Sequence, residues 1–158
     1  MNLFEFIKKS PKAELHLHIE GTLEPDQMFV LAKKNNIQIP FKSIDDVKRA
    51  YNFDNLDSFL KIYYEGTKVL VKEQDFFDLT WAYALKCKEE NIVHTEIFFD
   101  PQTHIERGVK FDVVINGIYN ALLKAEKQFG LSFKIIMCFL RHLDESPCFK
   151  ILNQAILH

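Results

Sequence analysis

Hydrophobic and polar residues repeat with two different periods along this chain, and the period changes in a regular order. Apolar and polar residues alternate from Ala13 to Ile19, which predicts a strand. Apolar runs predict two more strands, within residues 92–101 and 132–142. Apolar residues at helical spacing predict helices at about residues 26–36, 43–52, 55–71, 72–91, 111–130 and 145–158. The order is therefore strand, four helices, strand, helix, strand, helix.

This order is typical of a parallel sheet covered by helices, so the predicted fold class is α/β. An open doubly wound sheet and a (β/α)₈ barrel both fit it. No phosphate loop of the form G-x-G-x-x-G or G-x-x-x-x-G-K follows the first strand, whereas polar residues near the carboxyl end of a strand are typical of barrel active sites. We therefore expect a TIM-type barrel. Because such a barrel takes about 250 residues, residues 1–158 are expected to form one incomplete domain, the N-terminal part with about three strands.

The first strand carries titratable side chains on alternate positions. Period two predicts that one face carries Glu14, His16, His18 and Glu20. His16 and His18 would then lie about 7 Å apart at the backbone, near enough for both imidazoles to reach one metal ion. Two histidines alone leave a chance His-x-His, with ordinary hydrogen-bonded rings, as the alternative.

Composition narrows the function classes. Twenty basic and 22 acidic residues give a net charge of -2 without a long basic run, so no nucleic-acid partner is expected and a small neutral substrate fits better. The scattered Cys87, Cys138 and Cys148 are typical of free thiols in a reducing cytosol. No signal peptide and no apolar stretch of 18 residues is present, so no membrane partner and a cytoplasmic location are expected.

Three segments carry a family resemblance. "PKAELHLHIEGTLEP", residues 11–25, resembles the first-strand signature of the adenosine and adenine deaminase family, metal-dependent amidohydrolases built on (β/α)₈ barrels. "HTEIFFDPQTHIERGV", residues 94–109, is similar to the second-strand segment of the adenine deaminase branch, and "MCFLRHLDE", residues 137–145, to the family's third strand. The three matches occur in order, so the resemblance covers essentially the whole chain.

The resemblance implies roles for particular residues. It implies that His16 and His18 bind the catalytic zinc, and that Glu20 and Gly21 lie beside the substrate pocket. It also implies a gating helix over the pocket, for which plain core packing is the alternative; its residues are Leu56, Phe59, Leu60 and Tyr63. Arg141 and His142 are expected to be structural, and the remaining histidines have no assigned role; these are His94, His104 and His158.

The resemblance further implies a reaction in which zinc-activated water attacks the purine carbon that bears the amino group, a glutamate protonates the ring nitrogen, and ammonia leaves. The family takes its third histidine ligand, the glutamate of a His-x-Gly-Glu motif and paired aspartates from later strands. This chain has no His-x-Gly-Glu, and its one Asp-Asp, Asp45-Asp46, lies in the helical insertion. No catalytic residue is therefore expected within the chain, and the missing C-terminal half of the barrel is expected to be needed.

Several functions stay open. The first is zinc-dependent deamination of adenine to hypoxanthine in purine salvage, with adenosine or another aminopurine as the alternative substrate. The others are a non-catalytic product of a split or truncated gene, and an amidohydrolase acting on a non-purine substrate. Adenine is favoured because Glu20 and Phe98 stand where adenosine deaminases usually have Asp and Arg, and the longer Glu20 would extend into the space of the ribose.

Overall fold

The structure, a computed structural model, describes residues 2–141 and 143–158. Strands β1 (Lys12–His18), β2 (Ile92–Phe99) and β3 (Ser132–Met137) form a parallel sheet in the order β1-β2-β3. The helices are α1 (Leu3–Lys9), α2 (Pro25–Asn35), α3 (Ile44–Ala50), α4 (Leu56–Thr67), α5 (Glu73–Glu89), α6 (Pro101–Ile105), α7 (Phe111–Phe129) and α8 (Glu145–Ala155). The predicted α/β class with three parallel strands is confirmed.

Three short elements were not predicted from the sequence. Asn2 is the N-cap of helix α1, and its side chain accepts a hydrogen bond from the Glu5 N–H. Helix α6 starts directly after β2, where Pro101 occupies the first helical position. A 3₁₀ helix at Ile19–Thr22 ends β1 at His18. In the part of the chain that the structure describes, no helix has the length and apolar character that crossing a membrane requires.

Helices α5 and α7 cover one face of the sheet and hold the core. On β2 this face consists of Thr95, Ile97 and Phe99, all buried. The two helices approach closely at Gly117 of α7, where an added Cβ would lie 2.5 Å from the Glu73 carbonyl oxygen. The opposite face of the sheet, which carries Phe98, stays open toward a cleft.

The pairing of β1 with β2 contains a register shift that changes which side chains share a face. Glu14 pairs with Thr95 but Leu17 pairs with Ile97, so three steps along β1 match two along β2. The Glu14 carboxylate accepts a hydrogen bond of 2.7 Å from the Tyr83 hydroxyl of α5, which places it on the helix-covered face. The prediction that Glu14 shares a face with His16 and His18 is therefore wrong, because a bulge interrupts the alternation.

Candidate metal and substrate site

His16 and His18 lie side by side at the carboxyl end of β1. Their ring centroids are 5.8 Å apart, and both rings stack on Phe98 of the neighbouring strand, at 4.5 Å and 5.4 Å. The pairing of β1 with β2 accounts for this contact, since His18 and Phe98 are register partners. The bulge thus leaves both imidazoles on the open face of the sheet, with an aromatic wall behind them.

The open face of the sheet forms the floor of a cleft of about 1170 Å³. Strand ends supply the floor and α4 supplies one wall. Of the residues predicted for the site, the lining includes His16, His18, Gly21, Phe59 and Leu60, together with Leu56 and Tyr63 of the expected gating helix. Helix α4 is held at its start by Asn55, whose side chain accepts from the Ser58 N–H in a capping box. Arg141 also lines the cleft, and His142 lies outside the described residues.

Glu20 is not part of the strand face on which it was predicted. Because β1 ends at His18, Glu20 belongs to the 3₁₀ helix, and it is buried with 3% exposure and outside the cleft lining. Its Oε1 accepts from the backbone N–H of Asp100 at 2.9 Å and from Nε2 of His104 at 3.1 Å, and its Oε2 accepts from the Tyr63 hydroxyl at 3.2 Å. Burial raises the pKa of Glu20, but its interaction with His104 and the backbone hydrogen bonds outweigh this effect and hold the pKa below its ordinary value.

His104, to which the sequence gave no role, is completely buried beneath Glu20. An N–H of Arg107 lies 2.8 Å from Nδ1 of His104, so Nδ1 accepts this hydrogen bond. Nε2 of His104 then carries the ring hydrogen and donates it in a hydrogen bond to Glu20. The side chain of Arg107 also donates to the carbonyl oxygens of Lys68 and Leu70. This network ties the loop after α4 to Glu20 through Arg107 and His104.

Asp100 is a site residue that sequence reasoning missed. Its Oδ2 lies 3.1 Å from Nδ1 of His18 and 2.7 Å from the Tyr63 hydroxyl. The available signal was its place directly after β2, because carboxyl ends of neighbouring parallel strands meet at one edge of the sheet. The contact of Tyr63 with Asp100 depends on how α4 folds over the sheet, for which the sequence carries no local signal.

The residues present fit a zinc ion. Zinc in proteins prefers imidazole, thiolate and carboxylate ligands, and two adjacent imidazoles open to a cleft provide half of such a set. The nearest donor atoms of His18, Asp100 and Cys138 also lie within 4.8 Å of one another. Burial, together with the charges of Asp100 and Glu20, raises the pKa of the Cys138 thiol to about 11, so Cys138 is protonated at neutral pH. Binding a metal ion through Cys138 would therefore require the loss of this proton, which favours the two histidines as ligands.

The chain is similar to known adenosine and adenine deaminases in sequence and in fold. The adenosine deaminase family model matches residues 11–157. An adenine deaminase from Wolinella succinogenes is 62% identical over 154 residues, which are 98% of this chain and 46% of that protein. The crystal structure of an adenine deaminase from Arthrobacter aurescens superimposes with a TM-score of 0.90 at 44% identity, over 93% of this chain and 45% of that one.

A zinc-bound amidohydrolase from B. ambifaria shares the fold, with a TM-score of 0.81 at 21% identity over 94% of this chain and 41% of that one. The chain spans about half the length of the curated relatives that it matches. Its three parallel strands and helices match the N-terminal part of the amidohydrolase TIM barrel. On its sequence and its fold, the chain belongs to the adenosine deaminase family.

Proposed function

We propose that this chain provides the metal-binding part of a zinc-dependent adenine deaminase, which converts adenine and water to hypoxanthine and ammonia. The observation that carries the proposal is the His16–His18 pair, open to the cleft, in a chain whose curated relatives at 51–62% identity are called adenine deaminases. A cleft of about 1170 Å³ is large enough for a purine base. We also propose a cytoplasmic location, because the scattered cysteines are typical of free thiols in a reducing cytosol.

In the proposed reaction His16 and His18 would hold the zinc through ring nitrogens. Bound zinc lowers the pKa of a coordinated water, so that hydroxide is available near neutral pH. The water oxygen forms a bond to the ring carbon that carries the amino group, and the bond from that carbon to the amino nitrogen breaks. The groups that transfer protons in this step are proposed to come from the downstream half of the barrel, so this chain alone contains no catalytic residue.

The other residues of the proposed site shape the cleft. Phe59 and Leu60 of α4 face the cleft beside the histidines, and their apolar side chains would cover a flat purine ring and exclude water. Gly21 lies where the backbone turns away from β1, and an added Cβ there would make only ordinary contact with Tyr63, at 3.8 Å. The substrate contact predicted for Glu20 stays a prediction, and its buried carboxylate is bonded to the hydroxyl of Tyr63, which lines the cleft.

The test uses a completed barrel: a longer protein if this chain is part of one, or this chain in place of the matching segment of the Wolinella succinogenes adenine deaminase. We expect the parent to hold one zinc per molecule and to release ammonia from adenine. The double variant His16→Ala, His18→Ala should lose both the bound zinc and the activity. His94→Ala is the matched control, because His94 also lies in a strand and bonds Ser132 outside the cleft lining. Full zinc content in the double variant would refute the assignment of the ligands.

A further inference from the structure

The contacts of His18 point to a role for two neighbouring residues, Asp100 and Tyr63. This inference rests on the metal site proposed above. We propose that Asp100 and Tyr63 are positioning residues: the Asp100 carboxylate fixes the tautomer of His18, and the Tyr63 hydroxyl links this carboxylate to helix α4. The docking of α4 and the geometry of the metal site would then be coupled through two hydrogen bonds.

His18 and Asp100 are joined by a hydrogen bond. Nδ1 of His18 lies 3.1 Å from Oδ2 of Asp100, whose side chain is only 7% exposed. An ionised carboxylate can only accept, so we assign the hydrogen of the imidazole to Nδ1. The other nitrogen, Nε2, then carries the free lone pair that a metal ion requires. A carboxylate behind a ligating histidine is how metal sites commonly fix ring orientation and raise ligand basicity.

Asp100 lies among groups that are close enough to share a metal ion, so a direct ligand is the alternative role for it. The oxygen that approaches His18, Oδ2, already accepts from the Tyr63 hydroxyl at 2.7 Å and from His18 at 3.1 Å. The backbone N–H of Asp100 is in turn bound by the Glu20 carboxylate at 2.9 Å. Oδ2 is therefore held by two donors and the backbone is anchored, which suits a fixed acceptor better than a ligand that turns toward a metal ion.

The hydroxyl group of Tyr63 donates a hydrogen bond to Asp100. Burial and then the negative charges of Glu20 and Asp100 raise the pKa of Tyr63 far above its ordinary value, so the phenol keeps its hydrogen. This hydrogen is shared between Asp100 at 2.7 Å and Glu20 at 3.2 Å, and the shorter distance favours Asp100. Tyr63 lies on α4, one helical turn from Phe59 and three residues from Leu60 in the cleft wall. Movement of α4 away from the sheet would remove this donor from Asp100.

The experiment measures zinc affinity in the completed barrel by competition with a chelator. Asp100→Asn keeps the shape of the side chain but weakens the acceptor, and we expect about a tenfold to hundredfold weaker zinc affinity. Tyr63→Phe removes one hydrogen bond, and we expect about a threefold to tenfold loss. Tyr83→Phe is the matched control, because its hydroxyl also bonds a carboxylate, that of Glu14, on the helix-covered face. Its zinc affinity should equal that of the parent.

A metal-free measurement complements the affinities. Nitrogen-resolved NMR of the imidazoles reports which ring nitrogen of His18 carries the hydrogen. We expect the Nδ1–H tautomer in the parent and in Tyr83→Phe, and its loss in Asp100→Leu, which cannot accept a hydrogen bond. A purely structural role of Asp100 would leave the tautomer unchanged.

The possible outcomes separate this inference from the proposed function. If the parent binds zinc and the two histidine substitutions remove it, while Asp100→Asn and Tyr63→Phe bind zinc like the parent, only the positioning role is wrong. If Asp100→Asn abolishes binding and Tyr63→Phe has no effect, Asp100 is a ligand and the positioning role is likewise overturned. A parent that binds no zinc overturns both. Circular dichroism identifies variants that fail to fold. In that case the tautomer of His18 in the folded parent tests the proposal: Nδ1–H supports it, and Nε2–H overturns it.

Discussion

The ring of Phe98 stacks on the ring of His16 with 4.5 Å between centroids, and it contacts His18 at 5.4 Å as well. One side chain of β2 therefore supports both imidazoles of β1 from behind. Aromatic contacts of this kind are worth about 0.5–1.5 kcal/mol each beyond the area that they bury. The geometry of the histidine pair thus depends on the neighbouring strand as well as on the His-x-His motif itself.

Replacing Phe98 by Ala should weaken zinc binding in the completed barrel by about threefold to tenfold, because both imidazoles lose the surface that orients them. Chelator competition measures this change. Phe53→Ala serves as the control, since Phe53 contacts Phe59 edge to face at 5.0 Å and is paired with neither histidine ring. Equal zinc affinity in the parent and in Phe98→Ala would show that the pair is held by β1 alone.

The sequence predicted the part of the site that one strand encodes, and failed where the site depends on contacts between elements. His16 and His18 follow from period two within β1, and their place in the cleft is as expected. Glu14 was assigned to the wrong face because the bulge between Glu14 and Leu17 is defined only by pairing with β2. Asp100 reaches His18 across 82 positions of the chain, and the signal that the sequence offers for it is its place directly after β2.

Asp75 offers a test of how buried charge stabilises this fold. Its side chain is fully buried, lies 2.8 Å from Nζ of Lys34 and accepts from the backbone N–H groups of Val71 and Lys72. Burial raises the pKa of Asp75, but the hydrogen bonds from Lys34 and the backbone outweigh it and hold the pKa below the ordinary 3.8. The stabilisation is therefore present above about pH 4, where an unfolded Asp is ionised, and is lost as the pH falls through the lower folded value.

We expect Asp75→Asn to lower the free energy of unfolding of the completed barrel by about 2 kcal/mol at neutral pH. Solvent screens the bond to Lys34, which is 38% exposed, so most of the loss comes from the backbone hydrogen bonds. Urea titrations from pH 7 down to the acid transition should show the difference shrinking. Asp78→Asn is the control, because Asp78 lies 3.6 Å from the same lysine but is 43% exposed. A difference independent of pH would contradict this account.

Gly117 tests the contact between α5 and α7. Alanine in a helix interior is normally about 1 kcal/mol more stable than glycine. Here the added Cβ would lie 2.5 Å from the Glu73 carbonyl oxygen and 2.6 Å from the Phe76 Cβ, so the helices must separate. We expect Gly117→Ala to destabilise the completed barrel by about 1–2 kcal/mol in urea unfolding. The exposed Lys127→Ala on the same helix should change little, and a gain in stability at Gly117 would show that the helices yield without cost.

The 158-residue chain by itself should be inactive and only marginally stable. The three-stranded sheet ends at β1 and β3, and four apolar side chains of α1 are more than half exposed; these are Leu3, Phe4, Phe6 and Ile7. Open strand edges and exposed apolar surface favour aggregation. Purified chain should bind an apolar dye and release no ammonia from adenine above the level of its His16→Ala, His18→Ala variant. Sustained, zinc-dependent ammonia release would disprove this.

The choice between adenine and adenosine depends on whether Glu20 contacts the substrate. We expect the completed barrel to favour adenine over adenosine by at least about tenfold in kcat/KM, the discrimination that steric exclusion and one unpaired hydroxyl provide. The Glu20 carboxylate, however, is 3% exposed and engaged by the Asp100 N–H, His104 and Tyr63.

Shortening Glu20 to Asp withdraws the carboxylate from these donors and should weaken the support of Asp100 for either substrate alike. We therefore expect Glu20→Asp to lower kcat/KM for adenine and for adenosine together, and to change their ratio by less than about threefold, the equivalent of half a hydrogen bond. The measurement is the ratio of the two kcat/KM values in the parent and the variant. A shift toward adenosine of tenfold or more would show that Glu20 reaches the substrate itself, and that its extra methylene excludes the ribose. A parent that prefers adenosine would overturn the proposed substrate.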